Sequence, residues 1–137
     1  MILSKTTEYA IRILSFMSLR NEKLFSAKFL QDNLKIPPRY LMRLLTALSK
    51  SGFIQSIQGR NGGYVFVKNL DQIYISDIMK SVEGKNPFNE CILGFEECLF
   101  LKPCAMHHVW ADAKETIMHT FETTSLADSR KQQITQH

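Results

Sequence analysis

Apolar residues recur at helical spacing from about Thr6 to Leu19, where Ala10, Ile13, Leu14 and Met17 fall at i, i+3, i+4 and i+7 of one face. Asn21 follows as a stop. A shorter helix starts after Ser26, whose hydroxyl suits an N-cap, and turns Leu30 inward before the chain bends at Asn33-Leu34-Lys35. Pro37 and Pro38 then open a third helix running to about Ser51, at positions where a missing amide donor costs little. On a helical wheel Leu41, Leu44, Leu45 and Leu48 share one face of it, and Arg39, Arg43, Thr46 and Lys50 share the opposite one. One side is core and the other is basic. Gly52 ends the helix as a C′ glycine, residues 53–57 read as a strand, Gly59-Arg60-Asn61-Gly62-Gly63 as a hairpin tip, and residues 64–67 as the returning strand.

Beyond the hairpin, Ile75 to Val82 reads as a short helix with Ile78, Met79 and Val82 buried, closed by Gly84. Asn86 to Leu101 has no usable period, and its Ile92, Leu93, Phe95, Leu99 and Phe100 imply a compact loop held by its own apolar contacts or by a ligand. Pro103 restarts a helix to about Thr124, on which Met106, Trp110, Ala113, Ile117 and Phe121 form a narrow stripe. A seam of that width is read as a helix-to-helix dimer contact. The residues after Ser129 read as a disordered tail. The expected fold is mainly α with a small β-hairpin: a winged helix-turn-helix domain over 1–84, a loop over 85–104, a long C-terminal dimerisation helix over 105–128, and a tail over 129–137.

At 137 residues, 45% hydrophobic and 22% charged, the chain has the size and composition of one folded domain. Its formal charge of +4 conceals an asymmetry: residues 1–68 hold eleven Lys or Arg against three acids, a balance of +8, and residues 69–137 hold six against ten, a balance of −4. A basic N-terminal half suits a polyanion, because neutralised phosphates supply most non-specific nucleic-acid affinity. A helix, a turn, a cationic helix and a hairpin with a basic, Gly-rich tip form the order of a winged helix-turn-helix reading double-stranded DNA. The expected groove contacts are Arg39, Tyr40 and Arg43 in the third helix, with Lys28 and Lys50 on phosphates and Arg60 and Asn61 on the wing. Two copies related by a two-fold axis would read a palindromic operator.

All three cysteines, Cys91, Cys98 and Cys104, fall within fourteen consecutive residues, with His107 and His108 close behind. Soft thiolates clustered in this way point to a metal centre, and an odd count argues against a disulfide framework. A tetrahedral zinc site from the three cysteines and His107 is one reading, and a set of small buried thiols is another. The chain opens without a signal-peptide pattern and has no stretch of roughly 18 apolar residues, so the expected compartment is a reducing cytoplasm. No Gly-rich phosphate loop, paired carboxylates or nucleophile setting stands out, and the CxxC spacing of thiol redox enzymes is absent. The chain is not expected to be an enzyme.

Taken together, several segments resemble the Rrf-two family of bacterial winged-helix regulators, typified by IscR, NsrR and RirA, and the resemblance spans nearly the whole chain. Its carriers are Leu3-Ser4 with Glu8-Tyr9-Ala10, the run Ile36-Pro37-Pro38-Arg39-Tyr40-Leu41, and Gly59 to Tyr64. Ile75-x-Asp77-Ile78 with Val82-Glu83-Gly84, the cysteine trio, and Cys104-x-x-His107-x-x-Trp110 complete the set. The resemblance implies a homodimeric repressor whose DNA affinity is set by an iron–sulfur cluster, [2Fe–2S] or [4Fe–4S], responding to nitric oxide, iron or redox state. The cluster would be held by Cys91, Cys98, Cys104 and a fourth ligand. His107 is the IscR-like candidate, Glu8 the one implied by relatives that use a carboxylate of the first helix, and His108 is a third. A zinc-bearing or clusterless thiol-sensing regulator is the alternative. The chain departs from the family at Gln58, where arginine is common, and in the six-residue gap between Cys91 and Cys98, where IscR-like chains have five.

Overall fold

A computed structural model describes residues 3–83 and 105–136. Cys91, Cys98 and Cys104, and with them the loop expected over 85–104, lie outside the described residues.

Helix α1 (Lys5–Leu19) starts at Ser4, whose hydroxyl accepts from the Thr7 amide at 3.2 Å, and buries the expected face of Ala10, Ile13, Leu14 and Met17. Helix α2 (Ala27–Leu34) repeats the device with Ser26, which accepts from the Phe29 amide at 3.1 Å, and buries Leu30. Lys35 ends it in the left-handed region at φ 55°, and the chain turns straight into α3 (Pro38–Lys50), with Pro38 at the first helical position. Leu41, Leu44, Leu45 and Leu48 are buried, as the wheel requires.

The C-terminus of α3 is a Schellman motif. The Phe53 amide donates to the Leu48 carbonyl at 3.2 Å and the Gly52 amide to the Ser49 carbonyl at 3.1 Å. Gly52 sits at φ +86°, which a side chain would strain. This closure launches strand β1 (Ile54–Ile57), which pairs antiparallel with β2 (Gly63–Phe66) in a register that sets Ile54 opposite Phe66 and Ile57 opposite Gly63. The loop preceding α2 adds a one-residue bridge to β2. Phe25 and Tyr64 exchange amide-to-carbonyl bonds of 3.0 and 2.8 Å, so the wing is tied to the helix-turn-helix rather than hanging from it. A Cβ on Gly63 would lie 2.5 Å from the Phe25 carbonyl oxygen, so that approach requires glycine.

A 3-10 turn (Leu70–Gln72) leads into α4 (Ile75–Glu83), whose Ile75, Ile78 and Met79 are buried. Helix α5 (Ala105–Thr123) then packs on α4. Three residues of the expected dimer seam, Trp110, Ile117 and Phe121, gather with Met79 in an apolar cluster of their own chain. Met106, Val109 and Ala113 are the part of that side of α5 left exposed.

Residues after Ser129 correct the expectation of a disordered tail: they continue helix α6 (Leu126–Gln136). The cause lies at its start. Ser125 and Asp128 form a reciprocal capping box, the Ser125 amide donating to the Asp128 carboxylate and the Asp128 amide to the Ser125 hydroxyl, each at 3.1 Å. Leu126 is fully buried in the winged-helix core. A backbone bridge between Tyr74 and Ser125, with the Ile75 amide donating to the Thr124 carbonyl at 3.1 Å and the Leu126 amide to the Ile73 carbonyl at 2.9 Å, sets the starts of α4 and α6 side by side. Helix α6 lies on α1 and on the 3-10 turn, so it closes the DNA-binding domain rather than leaving it.

Two outcomes follow. Gly52→Ala meets no neighbouring atom but must adopt the left-handed region, and should cost about 1–2 kcal/mol in a denaturant titration. The Ser125 amide and hydroxyl hold the Asp128 carboxyl below its ordinary value of 3.8. A depressed carboxyl stabilises the fold above its unfolded pKa and loses that contribution as pH falls through the folded one. Melting temperature should therefore drop below about pH 4 less steeply in Asp128→Asn than in the unchanged protein.

Candidate nucleic-acid interface

The burial of the four α3 leucines dictates what faces outward. Arg39, Met42, Arg43, Thr46 and Lys50 are all exposed, so α3 presents an open face carrying three cations and no acid. Thr46 folds its hydroxyl back on the Met42 carbonyl at 2.9 Å, leaving the arginines as the long donors of that face. Lys28 is exposed on α2. Arg60 and Asn61 are exposed at the tip between β1 and β2, beside an open groove that Leu24, Ser26 and Phe29 also line. Glu22 reaches the same groove, and its charge is answered by Arg20 at 2.7 Å. Their mutual hydrogen bond holds the Glu22 carboxyl below, and the Arg20 guanidinium above, the usual value. The cationic positions expected from sequence, Lys28, Arg39, Arg43, Lys50 and Arg60, are thus all exposed.

Tyr40 stands apart from them. It is half-buried, its hydroxyl is hydrogen-bonded to Thr6 of α1, the Tyr9 ring meets it edge-on at 5.3 Å, and the Arg43 guanidinium lies 5.7 Å from its ring centre. Sequence reasoning missed Thr6 and Tyr9 because pairing across two helices leaves no local periodicity.

Of the expected metal ligands, Glu8 lies in the first turn of α1, its side chain 15% exposed and paired with Lys5 at 3.3 Å. His107 and His108 lie in the first turn of α5, where His108 is exposed and the His107 side chain is outside the described residues. Among the described residues, no three His, Cys, Asp or Glu side chains come together as a metal site. One carboxylate that sequence reasoning named only within a family motif is Glu83, at the end of α4. It accepts from the Thr7 hydroxyl at 2.5 Å and from the Ser4 hydroxyl, so the start of α1 is joined to the point where the chain leaves for residues 84–104. A carboxylate at a helix N-terminus also meets the positive end of the helix dipole.

The sequence profile of the Rrf2 family, the Rrf-two family above, described as iron-dependent transcriptional regulators, matches residues 3–131. The chain belongs to that family. It is 31% identical over 130 residues to an HTH-type transcriptional regulator of Aquifex aeolicus, covering 93% of this chain and 90% of the other. It is 29% identical over 130 residues to the regulator NsrR of Bacillus licheniformis, covering 93% and 91%. In fold it is similar to CymR, the global cysteine regulator of B. subtilis, with a TM-score of 0.76 at 24% identity over 94% of this chain and 95% of that one. Within the Rrf2 frame, α2 and α3 are the helix-turn-helix and β1–β2 the wing. The family is one of transcription regulators that bind DNA, not of enzymes. Among the described residues, no helix is long and apolar enough to cross a membrane.

Proposed function

We propose that this Rrf2 regulator is a homodimeric repressor that reads a palindromic operator with α3 and the wing, and that an iron–sulfur cluster sets its affinity. The observation that carries the DNA reading is the acid-free outward face of α3, with Arg39, Arg43 and Lys50 exposed opposite four buried leucines. Arg39 and Arg43 project from the N-terminal part of the helix, the part that reaches base edges when a recognition helix enters the major groove. Lys28 and Lys50 are assigned to phosphates, and Arg60 and Asn61 to the wing contact. The exposed apolar stripe of Met106, Val109 and Ala113 on α5 is the surface assigned to the dimer.

The donor set fits an iron–sulfur cluster. Three thiolates from Cys91, Cys98 and Cys104 supply most of the ligands such a cluster takes, leaving one position for Glu8, His107 or His108. Glu8 is suited to that position because its carboxylate is only partly exposed and Lys5, with which it is paired, is itself 68% exposed and readily returned to water. A bound cluster would supply a redox-active centre open to attack by nitric oxide or oxygen. For it to act as a switch, its presence must favour one arrangement of the dimer over another. Thiolates kept for iron suit a reducing cytoplasm.

Two measurements test this reading. In protein purified without oxygen, iron and acid-labile sulfide are expected. Stoichiometric zinc would favour a structural metal instead, and neither metal would favour thiol sensing. On an operator selected from random DNA, Arg43→Ala should cost about 1–3 kcal/mol and relax sequence preference, whereas Lys28→Ala should weaken all sequences alike and flatten the salt dependence. Equal loss on every sequence would remove Arg43 as a reader.

A further inference from the structure

Tyr40 sits at the border between the cationic and buried faces of α3 and makes an interior set of contacts. It sits two residues into α3, one position after Arg39, yet its hydroxyl is spent on Thr6 and its ring is packed by Tyr9 at 5.3 Å and 79°. The Arg43 guanidinium lies 5.7 Å from the centre of the same ring. An arginine on a surface helix samples many rotamers, and freezing one on binding costs free energy that a preformed contact has already met. A ring fixed at two points, with the guanidinium within cation–π range of it, does this for Arg43.

We propose that Tyr40 is a positioning residue: through its bond to Thr6 it anchors the front of α3 to the first turn of α1 and holds Arg43 ready for DNA, without reading a base itself. The inference rests on the DNA-binding function proposed above. Its second support is the neighbour of Thr6. Thr7 donates to Glu83 at the end of α4, and the N-cap Ser4 donates to the same carboxylate. Adjacent residues of one turn therefore face α3 and α4, and the orientation of the recognition helix is tied to the last residue of α4.

The test is a double-mutant cycle on operator affinity, with Thr6→Val, Tyr40→Phe and both together. Each change keeps the shape of its side chain, and melting curves verify that all proteins fold. Each single variant should bind the selected operator about 5- to 10-fold more weakly, the double variant no more weakly than either, with affinity for random DNA and the salt slope unchanged. Thr6→Val is the decisive arm, because Thr6 lies on α1. Loss in Tyr40→Phe with none in Thr6→Val would mean that the phenol touches DNA directly and would overturn the proposal. Additive losses would overturn it as well, and so would unchanged operator affinity in both variants. Failure of the unchanged protein to select any operator would be seen before any variant is made. That result would remove the DNA-binding reading and this inference with it.

Discussion

The apolar face of α1 is the surface on which α2, α3, α4 and α6 all close, and Ala10, Ile13, Leu14 and Met17 are buried there with at most 1% exposure. Ala10 lets neighbouring helices approach closely, and the three larger side chains fill the space between them. Because the interior is close-packed, a shift of any helix against α1 must be answered by the others. The polar contacts follow this geometry. Thr6 and Thr7 flank the apolar face at its N-terminal end, where they meet Tyr40 of α3 and Glu83 of α4. What the core fixes in position, these side chains fix in orientation.

The same burial made much of the fold legible in the sequence. The four leucines of α3 sit at helical spacing, so the wheel separated core from cationic face, and Gly52 marked the end of the helix by the conformation it had to adopt. Ser26 announced the start of α2 through the hydroxyl that caps it, and Ser4 caps α1 in the same way. Helix α6 was not legible as a helix because its pattern after Ser129 is polar. It holds through Leu126 in the core and through the capping box, whose Ser125 and Asp128 were visible at the right spacing but preceded too little apolar sequence to carry weight. Helix α5 shows a different limit. Periodicity identifies an apolar stripe but cannot say which surface covers it, and Trp110, Ile117 and Phe121 turn out to cover Met79 of their own chain.

The candidate site divides along the same line. Cations on an amphipathic helix are set by local spacing, so Arg39, Arg43 and Lys50 were legible as exposed positions. Tyr40 falls by spacing between the cationic and leucine faces of α3, and only the tertiary contact to Thr6 assigns it to the interface with α1. Glu83 was legible only as part of a family motif, because its role depends on hydroxyls more than seventy residues earlier in the chain.

These contacts bear on how the cysteine-bearing segment could communicate with DNA. On one flank Glu83 is bonded to the first turn of α1, and on the other Trp110 of α5 packs on Met79 of α4. Glu83 and Met79 both belong to α4, so the polar contact on one flank and the apolar contact on the other meet on a single helix. Coupling between sites needs an element that both can bias, not merely a path of contacts. Helix α4 meets that requirement in position, since it touches α3, α1 and α5. A ligand that changed the separation of the two flanks would act first on the end of α4 and the start of α5. It would reach α3 through the turn of α1 that holds Glu83 on one side and Tyr40 on the other.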